Sequence, residues 1–202
     1  MTREHEPRTT DLIKAALAQN TGETITLDQF LAPLETRAYG FLLVLLALPN
    51  FIPIPMGAGG ATGAIMALIG AQMLCGFDRP WLPRFARDHA FPRKSVEHFI
   101  EKTTSLFGRI ERVCKPRLEK LTHKPWSRFS GFILIILGIL LALPIPFTNY
   151  PFGVLSLLFG VALIERDGAL LSILWTCVFA STVFAASISN AMIAGVRHFF
   201  GS

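Results

Sequence analysis

The chain has 202 residues, of which 51% are hydrophobic and 16% charged, with a net charge of +5. Soluble domains carry about 25% charged residues and interleave them with apolar ones, whereas residues 38–77 and 129–164 here hold no charged side chain, and 167–196 only Asp167 at the edge. This excludes an ordinary soluble domain and predicts an all-α membrane protein with the lipid bilayer as its first partner.

Residues 1–37 are polar, with ten charged side chains. A cleavable signal begins with basic residues followed by an apolar run. This stretch does not, so it is expected to stay in the cytoplasm as a helical tail. Leu12, Ile13, Ala16 and Leu17 predict a first short helix over 11–19, ending at Asn20 and Gly22. A second opens at "TLDQ", residues 26–29, where Thr26 and Gln29 match a capping box. Its apolar stripe of Leu27, Phe30, Leu31 and Leu34 suits either the bilayer surface or the protein.

The first membrane block is 38–77. Its opening run to Leu48 is short of the about 20 residues a spanning helix needs. Pro49, Pro53 and Pro55 then break the backbone, "GAGG" follows at 57–60, and Gly60–Phe77 returns to a helical pattern. The block reads as a half-helix, a broken tip and a second helix.

The linker 78–128 carries thirteen Lys or Arg against six Asp or Glu. Such an excess beside membrane segments places it on the cytoplasmic side. Anionic headgroups account for the charge, and no nucleic-acid partner is expected. Trp81 and Trp126 suit the membrane interface. Apolar residues from Val96 to Leu118 predict an amphipathic helix over 95–121 on the cytoplasmic face.

The second membrane block, 129–168, breaks at "PIPFTNYP" and stops at "ERDG", residues 165–168. The C-terminal segment, 169–202, reads as transmembrane, either one long tilted helix or a helix broken near 187–190. Its Ser, Ala and Gly residues suit close helix packing.

The two blocks form an internal repeat. Ala47-Leu48-Pro49 matches Ala142-Leu143-Pro144 at an offset of 95, and Gly63 and Gly70 match Gly153 and Gly160 at an offset of 90. The difference falls in the proline-rich break, where length changes are tolerated. Whether the halves run parallel or inverted stays open. Unpaired backbone groups in hydrocarbon cost several kcal/mol each, so paired breaks point to re-entrant hairpins and a transporter-type site. A simple proline kink in a packed helix is the alternative. The candidate ligand-binding residues are Asn50, Pro53, Thr62, Gln72, Pro146, Thr148, Asn149 and Pro151. Gln72 equally suits a bond to a neighbouring helix. Glu165, Arg166 and Asp167, with Asp78 and Arg79 at the analogous place, form a candidate gate or coupling cluster. Their other reading is a solvated helix end stopped by Gly168.

"TLDQFLAPLETRAYGFLLVLLALPNFIPIP", "GAQMLCGFDRPWLP" and "PIPFTNYPFGVLSLLFGVALIERDG" together resemble the ExoD family, over about Thr26 to Gly168. The resemblance implies a multi-pass protein of the bacterial inner membrane linked to exopolysaccharide synthesis. It brings no established catalytic mechanism.

The five His residues lie in polar or terminal segments, and the three Cys show no metal or disulfide spacing. No enzyme activity, cofactor or metal is expected. A small transporter or channel-like protein for an ion or polar small molecule, working as a homodimer, is the first expectation. An accessory factor of the polysaccharide synthesis proteins is the second. Scrambling of lipid or lipid-linked sugar, by analogy alone, is the third.

Overall fold

The computed structural model describes residues 22, 24–34, 36–51, 58–87, 90–93, 119–123, 125–143 and 149–200. The expected helix over 11–19, the amphipathic helix over 95–121 through residue 118, and Pro53, Pro146 and Thr148 lie outside them. The described chain is mostly helical.

Strand β1 (Thr24–Thr26) pairs antiparallel with β2 (Ala90–Pro92), placing Ile25 opposite Phe91. This small ribbon departs from the all-α expectation. It ties the segment before the first apolar block to the basic linker. The capping box forms at α1 (Leu27–Leu31): the Thr26 hydroxyl accepts from the Gln29 N–H at 3.3 Å, and Gln29 Oε1 accepts from the Thr26 N–H at 3.1 Å. Phe30, Leu31 and Leu34 are buried, so the stripe packs against the protein.

Four apolar helices follow, in two consecutive pairs. They are α2 (Arg37–Ala47), which tightens into a 3-10 turn at Leu48–Phe51, α3 (Ala58–Cys75), α5 (Trp126–Ala142) and α6 (Asn149–Ile164). A one-turn helix, α4 (Arg84–Arg87), lies in the linker. The last helix, α7 (Gly168–Phe200), is continuous, which answers the question left open at residues 187–190.

The direction of each helix follows from named contacts. The Tyr39 hydroxyl at the start of α2 donates to the Phe77 carbonyl just beyond α3, at 3.1 Å. At the other end, the Thr62 hydroxyl donates to Asn50 Oδ1 at 3.0 Å. α2 and α3 are therefore antiparallel. Gly63 packs on Gly138 and Gly70 on Gly131, so α5 is antiparallel to α3. Gly40 packs on Gly160, and Gly153 on Asn50, so α6 is antiparallel to α2. Hence α2 and α5 run one way, α3 and α6 the other, and the flanks of both breaks lie at the same end.

The interior is mostly apolar, and large apolar side chains are exposed on the outside as well. Leu43, Met66, Leu134, Leu137, Leu141 and Phe159 are fully buried, and the buried polar or charged residues among those described are Arg37, Asn50, Thr62, Gln72, Ser130, Ser156 and Asp167. Leu68, Ile139, Ile173, Phe179 and Phe184 face outward, each more than half exposed. One helix, through its segment Gly168–Ser187, is long and apolar enough to cross a membrane; the other four apolar helices are shorter.

Candidate functional site at the flanks of the two breaks

Pro49 ends α2 by chemistry. It has no N–H, and in the 3-10 turn that begins at Leu48 it occupies the place of the donor to the Leu46 carbonyl. Asn50 replaces that donor. Its Nδ2 reaches the Leu46 carbonyl at 3.0 Å and the Ala47 carbonyl at 3.4 Å. Its Oδ1 accepts from Thr62, whose hydroxyl also lies 3.3 Å from the Gly59 carbonyl. Asn50 is 3% exposed, so these bonds are made where no solvent competes.

The flank of the other break approaches the same place. A Cβ added to Gly59 would lie 2.6 Å from Asn149 Oδ1 and 2.9 Å from the Leu141 carbonyl oxygen. A Cβ added to Gly153 would lie 3.1 Å from the Asn50 Cβ. The contacts are crossed: each break's asparagine rests on a glycine near the start of the second helix of the other half. Ser156 is buried one turn further along α6, donating to the Phe152 carbonyl at 2.7 Å and lying 3.5 Å from Met66 Sδ on α3. Asn50, Thr62 and Asn149 thus come together, with Ser156 beside them, while Pro151 is exposed on α6.

Gln72 and the candidate gate lie at the opposite end. Gln72 holds the chain after α3: Trp81 N–H donates to its Oε1 at 2.6 Å, and its Nε2 donates to the Trp81 carbonyl at 3.2 Å. Asp167 caps α7, its Oδ1 accepting from the Ala169 and Leu170 N–H groups at 3.0 and 3.1 Å. Arg166 holds φ +53°, and Asp167 N–H returns to the Ala162 carbonyl at 3.0 Å. The end of α3 is built alike: Gly76 has φ +85°, and Phe77 N–H reaches the Gln72 carbonyl at 3.1 Å. Both are Schellman endings, at positions matching the 90-residue offset. Asp78 and Arg79 are exposed beyond Gly76.

Aromatic and basic side chains mark this same end. Trp126 stacks on Trp175 at 6.1 Å, Phe129 meets Trp175 edge-on at 4.8 Å, and Trp81 is exposed. The Arg128 guanidinium covers Gly76, 3.0 Å from where a Cβ would stand. A cation there complements the C-terminal carbonyls of α3.

Sequence reasoning missed Gly40, Gly131 and Gly138, which bring the helix backbones together. The signal was present: Gly131 and Gly138, like Gly63 and Gly70, are seven residues apart and share one helix face. Ser130, beside Gly131, is fully buried, and its hydroxyl has no hydrogen-bond partner. Among the described residues no cluster of His, Cys, Asp and Glu could hold a metal ion.

The fold and the meeting of the flanks of the two breaks define a mostly helical protein with apolar side chains exposed on its outside and a largely apolar interior that also buries Asn50, Thr62, Gln72, Ser130 and Ser156 and the charged Arg37 and Asp167. The family model described as "Exopolysaccharide synthesis, ExoD" matches residues 9–187, and the chain belongs to that family. It is 30% identical over 200 residues to Protein ExoD of Rhizobium meliloti, covering 95% of this chain and 83% of that one. It is 24% identical over 184 residues to an uncharacterized protein of Synechocystis sp., covering 90% and 84%. No solved structure matches. Family membership links the chain to exopolysaccharide synthesis.

Proposed function

We propose that this chain is a multi-pass protein of the bacterial inner membrane, acting in exopolysaccharide synthesis as a small, non-enzymatic transporter or channel-like element. In this reading α2–α3 and α5–α6 are the two repeats, each a re-entrant hairpin. Both enter from the end that carries the Trp residues and the basic linker, the cytoplasmic side by the distribution of Lys and Arg. α7 then crosses to the far side. Helices of sixteen to eighteen residues reach about 24–27 Å, against about 30 Å of hydrocarbon. The breaks then sit deep in the bilayer.

The observation that carries the proposal is the meeting of the flanks of the two breaks, Asn50 on Gly153 and Asn149 on Gly59, inside a shell of exposed Leu, Ile and Phe. Neutral amide and hydroxyl groups gathered inside the membrane suit a polar or ionic solute. The test is flux through purified protein in liposomes, offered ions, small polar solutes and a fluorescent lipid-linked sugar. Flux of a solute that falls in Asn149→Ala supports the transporter. Flux of the lipid-linked sugar alone supports scrambling. No flux of any class, with normal polysaccharide yield in the Asn149→Ala strain, contradicts transport.

A second reading has its own support. Both ends of the Asn50 amide and the Thr62 hydroxyl are committed to partners within the chain, as expected where the breaks only shape the fold. That favours an accessory factor. Its mark is co-purification of a synthase or polymerase together with absence of flux.

A further inference from the structure

We propose that the membrane core moves as two rigid bodies that cut across the sequence: α3 with α5, and α2 with α6, each body taking one helix from each half. The proposal concerns the mechanics of the fold and stands whether the chain transports or assists.

The two kinds of helix contact differ in what separates the backbones. Within a body nothing does. A Cβ at Gly70 would lie 2.7 Å from the Gly131 carbonyl oxygen, and one at Gly131 lies 2.6 Å from that of Gly70. Gly63 and Gly138 repeat the arrangement two turns away. In α2 and α6, Gly40 and Gly160 face each other's carbonyls at 2.5 and 2.7 Å on the same measure. Such reciprocal approach gives Cα–H···O contacts and dense dispersion along the helices. Neither helix can roll or slide without driving a carbonyl into the opposite backbone.

Between the bodies the contacts are made by side chains. Thr62 reaches Asn50, the Tyr39 hydroxyl reaches the Phe77 carbonyl, and Ser156 touches Met66 Sδ. Met66 is flexible and its sulfur is polarizable, so it tolerates sliding. Hydroxyl bonds to a carbonyl or amide oxygen are each worth about 1 kcal/mol net and re-form after small shifts. Shear between packed helices separated by side chains is a common form of protein motion. The buried polar residues Asn50, Thr62 and Ser156 lie along this seam, so its opening is what brings them within reach of a solute or a partner.

Pulsed electron–electron spin-label distances test the proposal. The full chain is reconstituted in lipid nanodiscs, with Cys75, Cys114 and Cys177 replaced by Ser. Labelled cysteines are introduced in pairs at outward-facing Leu45, Leu68, Ile139 and Leu158. Pairs within a body (Leu68 with Ile139, Leu45 with Leu158) are expected to give one narrow distance. Pairs across the seam (Leu68 with Leu158, Leu45 with Ile139) are expected to be broader, with a second component displaced by about 2 Å. Replacing Tyr39 by Phe, which removes one seam bond, raises that second component. Distances across the seam as narrow as those within each body, or breadth within a body equal to that across the seam, overturn the proposal.

Discussion

Gly70 and Gly131 face each other so closely that a methyl group on either would lie within 2.7 Å of the other's carbonyl oxygen. Gly70→Ala or Gly131→Ala therefore forces α3 and α5 apart, and overpacking of this kind costs about 1–3 kcal/mol. Gly60 on the same helix is the control, because nothing lies within 4 Å of a Cβ added there. Gly60→Ala removes only glycine's helix penalty and stabilises by up to about 1 kcal/mol. Thermal unfolding in detergent is expected to move in opposite directions for the two kinds of variant.

Asn50 supplies the donor that Pro49 lacks. Asn50→Leu leaves the Leu46 carbonyl buried without that bond, at a cost of about 1–3 kcal/mol. Asn50→Asp is expected to be worse, since an ionised carboxylate has no donor and would face two carbonyl oxygens. Both variants should accumulate to lower levels in the membrane than wild type. If instead both accumulate normally, the amide has no structural task at the break.

Asp167 separates a capping role from a coupling role. Asparagine caps helices about as well as aspartate, whereas alanine loses about 0.5–2 kcal/mol. If capping is its task, Asp167→Asn retains stability and polysaccharide yield, and Asp167→Ala loses stability. A yield that collapses in Asp167→Asn while the protein remains folded would instead assign the carboxylate a charge-dependent function. Arg166→Gly, relieving a left-handed backbone at φ +53°, is expected to stabilise by about 1 kcal/mol.

Gln72 holds both backbone groups of Trp81. Gln72→Leu removes both bonds, so amide hydrogen exchange at Trp81 should accelerate about tenfold or more, as the loss of about 1.5 kcal/mol implies. Exchange in the middle of α3 should not change. Unchanged exchange at Trp81 would mean that other contacts hold the segment.

Much of this was legible in the chain, for definite physical reasons. The capping box at Thr26 and Gln29 is local chemistry and formed as expected. So did the interruption at Pro49, because a missing N–H cannot be compensated by distant residues. The ribbon of β1 and β2 was not legible: three residues offer no period, and the partner lies more than sixty positions away. Helix partners were hidden for a related reason. In an apolar segment every face is greasy, so periodicity does not say which face meets protein. Glycines seven apart on α3 and α5 were the usable signal: Gly63 and Gly70 entered the reading only as marks of a repeat, and Gly131 and Gly138 did not enter it. Gln72 and Asp167 read as candidate ligand and gate residues because polar groups in apolar surroundings suggest function. In the structure Gln72 bonds to the backbone of Trp81, and Asp167 to the backbone of Ala169 and Leu170.

Both hairpins are proposed to enter from the side of the basic linker, with α7 alone leading to the other. The most direct test is compartment-specific labelling of single cysteines in intact cells and inverted vesicles, at Thr103 in the linker and at Ser202. Thr103→Cys is expected to react only from the cytoplasmic side and Ser202→Cys only from the periplasmic side. Labelling of both positions from the same side would contradict it.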